Sequence, residues 1–150
     1  MEVVFVVFDE TFKEFTYQWL QNETLRTLID APAITKEQQE AWFAALPQRT
    51  DYKIWGIVAD QQPIGVCGLK NITATQAEYW GYIGNTTYWG KGIGKEMMRF
   101  VETQASQLHL SSLYLKVLQS NERAIRLYEK AGFQAAPSTD AYVHMSKALS

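Results

Sequence analysis

The sequence is short of the features that define several classes of protein. Cys67 is the one cysteine among 150 residues, which excludes an internal disulfide and favours a reducing compartment. Lysine and arginine number 14 against 16 acidic residues, with no basic block, and this argues against a large nucleic-acid interface. No cationic N-terminal region is present, and the apolar run Val3–Phe8 is too short to cross a membrane. We therefore expect a cytoplasmic protein without a nucleic-acid or membrane partner.

What the sequence does contain indicates one globular domain. A chain of 150 residues with 47% apolar content can bury a substantial core. Neither an internal repeat nor a linker is visible, and segments with strand and helix periodicity alternate along the chain. We predict a single α/β domain over residues 1–150, with a mixed sheet flanked by helices.

The individual elements follow from periodicity and from turn residues. Strands are predicted at 3–8, 53–59, 64–72, 78–84, 113–118, 133–135 and 142–147, with a hairpin turn at 60–63. Helices are predicted after Asp9 and at 22–30, 36–46, 91–108 and 121–131. The long helical crossover between the strands at 78–84 and 113–118 implies that these two strands pair in parallel.

The stretch Glu78–Arg99 combines a strand, a glycine-rich loop and the start of a helix. Glycines let the backbone turn tightly and approach a ligand, and a helix start offers unpaired amides, so this arrangement suits a phosphate or pyrophosphate. A Walker loop is excluded because Glu96 stands where Ser or Thr is required. The dinucleotide fingerprint is excluded because Lys95 replaces its last glycine. A glycine-rich turn that only caps a core helix is the alternative.

Two motifs together carry a resemblance to a known family. The run from Trp89 to Gly94 resembles the acyl-CoA loop of the GNAT N-acetyltransferases, Gln/Arg-x-x-Gly-x-Gly/Ala, with Trp89 in the first position. The segment from Asn121 to Phe133 resembles the family element Asn-x-x-Ala-x-x-x-Tyr-x-x-x-Gly-Phe at every named position. The motifs occur in the family's order, and the resemblance extends from about Ile54 to Phe133. It implies the acyl-CoA N-acyltransferase fold, in which a splayed pair of central strands binds the cosubstrate.

The resemblance also implies which residues bind acetyl-CoA, the expected cosubstrate, in a reaction that needs no metal. Backbone amides of the central strand would pair with pantetheine, and those of the loop would bind the pyrophosphate. Asn121 caps the last helix and, by the resemblance, also contacts the CoA arm. Charge from Lys91 and Lys95 would help, although a loop lysine is more often only solvated. The predicted set is Tyr82, Ile83, Gly84, Trp89, Gly90, Lys91, Gly92, Ile93, Gly94, Lys95 and Asn121.

Two residues are candidates for proton transfer. In the family, the tyrosine at the position of Tyr128 protonates the departing thiolate. From the residues alone, a tyrosine packed against the core is the simpler interpretation. Glu78 is the candidate base. The alternative, to which we give equal weight, is that Glu78 is only a solvated charge at the end of a strand. Histidine is a residue type that can serve as a base near neutral pH, which makes His144 a candidate, but a lone histidine in a terminal strand is more often structural.

The acceptor is expected to be a small-molecule amine bound near the N-terminal helices. The layout from Thr35 to Ile72 is similar to the branch that acetylates nucleotide-linked amino sugars, and less closely to protein N-terminal and polyamine acetyltransferases. The alternative to an enzyme is a module that binds acyl-CoA without catalysing a transfer. Family members are often homodimers, although no sequence feature identifies an interface. Four tryptophans are expected to give this side aromatic character, although some of them belong to the core: Trp19, Trp42, Trp55 and Trp80. The third helix is expected to turn Ala41, Trp42, Ala45 and Leu46 toward the core or the acceptor.

Overall fold

The computed structural model describes residues 1–149, which form one seven-stranded mixed sheet with α-helices on both faces. The predicted fold class is therefore confirmed. The strands are β1 (Val3–Val7), β2 (Lys53–Ala59), β3 (Gln62–Lys70), β4 (Gln76–Ile83), β5 (Ser112–Leu118), β6 (Gln134–Ala136) and β7 (Tyr142–Ala148). The helices are α1 (Glu10–Trp19), α2 (Glu23–Ile29), α3 (Lys36–Ala45), α4 (Ile93–Gln107) and α5 (Glu122–Lys130), with short 3₁₀ turns at Leu46–Gln48 and Thr86–Tyr88.

The sheet has the strand order β1-β2-β3-β4-β5-β7-β6. Neighbouring strands are antiparallel except β4 and β5, which are parallel as their helical crossover predicts. This single parallel pair lies at the centre of the sheet. None of the helices within residues 1–149 has the length and apolar character needed to span a bilayer.

The two faces of β4 pack against different helices. Side chains alternate along a strand, so Tyr79 and Ile83 join the core under α4 and α5. Trp80 and Tyr82 point to the other face and pack in a second cluster beneath α1 and α3. The strand therefore separates the molecule into an α4–α5 side and an α1–α3 side.

Three local predictions need correction. The β2–β3 turn is Asp60-Gln61 rather than 60–63, because both residues adopt positive φ (51° and 66°) and close a two-residue hairpin. Pro63 consequently lies inside β3, opposite Val58, where the register shifts. In α3, Ala41 and Ala45 are exposed while Gln39 is buried, because Gln39 bonds to α1.

Candidate active site

A gap between β4 and β5 opens at the centre of the sheet. The two strands pair only from Gln76–Ser112 to Glu78–Tyr114, although β4 continues to Ile83 and β5 to Leu118. Beyond Glu78, the edge of β4 therefore has no strand beside it on the β5 side. Unpaired backbone groups on such an edge can bind an extended ligand as a strand would.

The register of β3 and β4 determines which backbone groups face this gap. The Gly84 amide donates to the Ile64 carbonyl over 2.8 Å, and antiparallel hydrogen bonding alternates along the strand. Tyr82 therefore faces β3 like Gly84, whereas Gly81 and Ile83 face the gap. The Gly84 amide is thus already bonded to β3 and the Tyr82 amide points the same way, which leaves Ile83 as the predicted strand residue whose amide faces the gap. The assignment of these strand residues to the cosubstrate stays a prediction. The indole Nε1 of Trp89 donates to the Ile83 carbonyl over 2.8 Å and so occupies one acceptor at the gap.

The N-terminus of α4 begins beside the gap. Gly92 has φ 81°, a conformation that glycine adopts without strain. It starts the helix at Ile93 instead of the predicted Lys91, and no side chain caps this end within residues 1–149. The other four helices are capped by Asp9, Asn22, Thr35 and Asn121. The first amides of α4 thus remain available to an anion.

Gly94 allows α4 to approach α5. A Cβ at this position would lie 2.7 Å from Cδ2 of Leu127, which is closer than carbon atoms pack. The helix that presents the free amides is therefore held directly against the helix that carries Tyr128.

A cleft of about 310 Å³ joins these features. It brings together most of the predicted cosubstrate-binding residues, but Gly84 and Lys91 do not line it. Lys91 belongs to the exposed part of the loop. The predicted residues that do line the cleft are Tyr82, Ile83, Trp89, Gly90, Gly92, Ile93, Gly94, Lys95, Asn121 and Tyr128.

The structure adds residues that the sequence motifs did not indicate. Arg123, in the first turn of α5, lines the cleft, and its Nη2 would be 3.2 Å from a Cβ built on Gly90. Arg123 stands at a position where the second motif allows any residue, so the motif did not select it. The available signal was its positive charge two residues after Asn121. Leu25, Leu28 and Ile29 of α2 form the opposite wall. No sequence signal predicts their place there, since it depends on how α2 docks.

Tyr128 projects from α5 toward the gap. Its ring contacts those of Tyr79 and Phe133, with centroids 6.0 Å away in both cases. Burial raises the pKa of Tyr128 to about 12, and its hydroxyl makes no hydrogen bond to any of residues 1–149. This phenol therefore keeps its proton at neutral pH.

Glu78 lies at the closed end of the gap. It belongs to the α1–α3 face of β4, with Trp80, and its side chain is 13% exposed. Oε1 accepts a hydrogen bond of 3.1 Å from Asn71 Nδ2, and Lys70 Nζ lies 3.8 Å from Oε2. A smaller cavity of about 160 Å³ is lined by both Glu78 and Tyr128. The two candidate residues therefore border one space from opposite faces of the sheet.

The remaining candidates lie elsewhere. His144 on β7 bonds to Asp140 over 2.9 Å and lines neither cavity. Trp55 is the tryptophan of the four that belongs to the core beneath α4, where it packs edge-on against Phe100. Trp19, Trp42 and Trp80 do lie on the α1–α3 side.

The fold and the cleft define an acetyltransferase. Residues 13–133 match the acetyltransferase (GNAT) family, and the chain belongs to that family. This membership confirms the predicted enzyme class, an acetyl-CoA-dependent N-acetyltransferase.

Curated relatives cover the chain to different extents. Acetyltransferase PseH of Campylobacter jejuni (strain 81-176) is 23% identical over 133 residues, which are 88% of this chain and 83% of the relative. The spermine/spermidine N(1)-acetyltransferase of Bacillus subtilis is 40% identical, but over 48 residues that make up 31% and 32% of the two chains.

Solved structures of several acetyltransferases share the fold. The spermidine N-acetyltransferase of Vibrio cholerae, solved with CoA and spermine, superposes with a TM-score of 0.86 at 18% identity, covering 98% of this chain and 95% of the other. Campylobacter jejuni PseH, solved with acetyl coenzyme A, gives 0.76 at 20% identity and covers 99% and 100%.

Proposed function

We propose that this enzyme transfers the acetyl group of acetyl-CoA directly to a primary amine in the gap between β4 and β5. The observation that carries the proposal is the gap itself, which Tyr128 and Glu78 border from opposite faces of the sheet. Family membership and the acetyl-CoA complex of a structural neighbour support the choice of cosubstrate.

The residues present fit such a cosubstrate. The free amides at the start of α4 suit its pyrophosphate, with Arg123 and Lys95 supplying positive charge at the cleft. The gap-facing groups of Gly81 and Ile83 suit the amide groups of pantetheine. Asn121 already caps α5 through a 3.3 Å bond to the Ala124 amide, and a contact with the CoA arm is proposed in addition.

The two proton transfers involve residues on opposite faces of the sheet, Glu78 and Tyr128. An alkylammonium ion is the major form of a primary amine at neutral pH, so Glu78 takes one proton and exposes the nitrogen lone pair. A C–N bond forms at the thioester carbonyl as the C–S bond breaks. Tyr128 donates its proton to the departing sulfur, and the new amide releases its surplus proton to water. Exchange with solvent then returns a proton to Tyr128 and removes the one held by Glu78. Within residues 1–149 no three His, Cys, Asp or Glu side chains group as metal ligands would, and a metal-independent reaction stays a prediction.

An amino sugar is the proposed acceptor. The sequence layout from Thr35 to Ile72 and the long alignment with PseH support it. A polyamine is the second candidate, because the Bacillus subtilis enzyme shares 40% identity over 48 residues and the Vibrio cholerae enzyme superposes closely. A protein N-terminus and a non-catalytic acyl-CoA module are the remaining alternatives. The cytoplasmic location and the homodimer stay predictions.

A thermal-unfolding shift with acetyl-CoA tests the proposal, with adenosine as the control. At a hundredfold excess over Kd, binding adds about 2.7 kcal/mol of stability, which raises the midpoint by roughly 5–10 °C for a chain of this size. Turnover of an amine panel then separates an enzyme from a binding module. No shift at millimolar acetyl-CoA would refute the proposal.

A further inference from the structure

We propose that a cavity on the α1–α3 side of β4 holds the non-reacting part of the acceptor, and that this part is an uncharged ring with a hydrogen-bond donor directed at Gln39. The inference rests on the proposed acetyl transfer and narrows the class of amine. The cavity measures about 600 Å³ and lies between α1, α3 and strands β2 to β4. This volume is ordinary for a small-molecule site.

The position of the cavity connects it to the reaction. It shares Trp80 with the small cavity beside Glu78 and Tyr128. It shares Tyr82 with the cleft of about 310 Å³ that is proposed to bind acetyl-CoA (the cosubstrate cleft). Both side chains belong to the β4 face that also carries Glu78. A molecule seated in the cavity can therefore extend its amine past Trp80 to the candidate base.

The lining of the cavity carries no net charge. Four aromatic rings, from Trp42, Tyr52, Trp80 and Tyr82, form much of the wall, and no Asp, Glu, Lys or Arg of the described residues lines it. On the adjoining segments, Lys13 pairs with Glu40 at 2.9 Å, and Arg49 pairs with Asp51 at 3.1 Å. Burial also raises the pKa of Tyr52 and of Tyr82, so both phenols stay neutral.

Two polar side chains of this wall, Thr16 and Gln39, are deeply buried. Thr16 Oγ1 donates to the Lys13 carbonyl over 2.8 Å and accepts from Gln39, so of the two Gln39 is the one with a polar atom left for a ligand. Gln39 is 5% exposed, and its Nε2 donates to Thr16 Oγ1 at 2.6 Å and to the Lys13 carbonyl at 3.3 Å. A carbonyl can only accept, so the orientation of the amide is fixed. Oε1 accepts no hydrogen bond from any of residues 1–149, and it is the group that remains for a donor in the cavity.

These features favour a ring over a polycation. Aromatic walls stack well on flat uncharged groups, whereas an ammonium group would lose its water without meeting a carboxylate. The Arg49 guanidinium already lies 4.6 Å from the centroid of the Tyr52 ring. Cation–π attraction to the remaining rings offsets part of the cost of desolvating a single ammonium group, and it leaves the further ammonium groups of a polycation uncompensated. The occupant therefore resembles the ring of a cyclic amine and not the chain of a polyamine.

The test measures binding of three amines by calorimetry in the presence of saturating CoA, where no transfer occurs. Tyramine and phenethylamine differ by one hydroxyl donor, and spermidine represents a polycation. We expect tyramine to bind about 3- to 10-fold tighter than phenethylamine, and spermidine to bind most weakly. Gln39→Met should reduce the tyramine preference to about 1, while Gln107→Met, on the exposed end of α4, should leave it unchanged.

Several outcomes would overturn the inference: spermidine binding tightest, neither ring amine binding at about 10 mM, or an unchanged tyramine preference in Gln39→Met. The order of the three affinities in the wild-type protein tests the inference even if Gln39→Met does not fold. Acetyl-CoA binding, measured on the same sample, keeps the two proposals apart. Bound acetyl-CoA without ring-amine binding refutes this inference alone, and absent acetyl-CoA binding refutes the proposed function.

Discussion

At the scale of the residue, Tyr128 combines a raised pKa with a hydroxyl directed at the gap. Tyr128→Phe keeps the ring and its packing against Tyr79 and removes the proton donor. We expect kcat to fall by about 10²-fold or more, in the range of general-acid effects, while Kd for acetyl-CoA changes little. Steady-state kinetics with calorimetry measure both quantities. Tyr17→Phe, on α1, is the matched control, and an unchanged kcat in Tyr128→Phe would remove the acid from the mechanism.

Glu78→Gln tests the base without changing the size of the side chain. The amide can still contact Asn71, but it cannot take a proton from the acceptor. We expect kcat/KM for the amine to fall by about 10²-fold at neutral pH. Part of the rate should return at high pH, where the amine arrives already neutral. Glu129→Gln, on the exposed face of α5, is the control; wild-type rates in Glu78→Gln across pH would assign proton removal to water.

Individual residues were predictable from sequence where a motif fixes their local geometry. The cap Asn121, the glycine-rich turn before α4 and the tyrosine of α5 all belong to short motifs at or near a helix end. Arg123 and Gln39 were not found, because their importance depends on which cavity their helix borders after folding. The direction of the Gly84 amide was not predictable, because it depends on register with β3, which sequence pattern does not determine.

At the scale of the element, the start of α4 is the proposed anion site. Two variants compare the contribution of its backbone amides to acetyl-CoA affinity with that of a loop lysine. Gly92→Ala places a Cβ on a residue with φ 81°, which strains the loop by roughly 1–2 kcal/mol. We expect acetyl-CoA affinity to fall about 5- to 30-fold. Lys91→Ala should change it less than about 3-fold, since Lys91 does not line the cleft. Titration calorimetry at one salt concentration compares the two, and a larger effect of Lys91→Ala would favour side-chain charge over backbone amides.

Helices and strands themselves were largely predictable, since caps and periodicity are local. The parallel pairing of β4 and β5 also followed from the length of the crossover. The resemblance implied a splayed pair of central strands, but periodicity did not locate the gap, because it arises where β4 leaves β5 after Glu78 while β5 stays paired with β7. The position of α2 against the cleft is likewise a result of packing.

At the scale of the whole molecule, the sheet separates the two proposed substrate sites. The cosubstrate cleft lies toward α4 and α5, the neutral cavity lies beneath α1 and α3, and the gap in the sheet connects them. A continuous sheet would keep an amine on one face from a thioester on the other. The short β4–β5 ladder thus links the fold to the proposed reaction.

The same burial that forms these cavities makes the molecule sensitive to alkali. Burial raises the pKa of Tyr128 from 10.0 to about 12 and that of Cys67 from 9.0 to about 12, and it raises the pKa of Tyr79 well above 10.0. Between the ordinary and the raised values, the unfolded chain has lost these protons while the folded chain retains them. The unfolded state then binds fewer protons, so the free energy of unfolding must fall as pH rises.

We therefore expect stability to decline through the interval from about pH 9 to about pH 12, with the full contribution present below it. Urea unfolding at several pH values measures the decline, and absorbance of tyrosinate shows whether ionisation accompanies unfolding. Tyr79→Phe should make the decline shallower, because Tyr79 is buried and cannot ionise without exposure, whereas Tyr17→Phe should leave the slope unchanged. A stability that stays constant across this interval would mean that these phenols and the thiol ionise in the folded protein, which would contradict the burial that raises their pKa values.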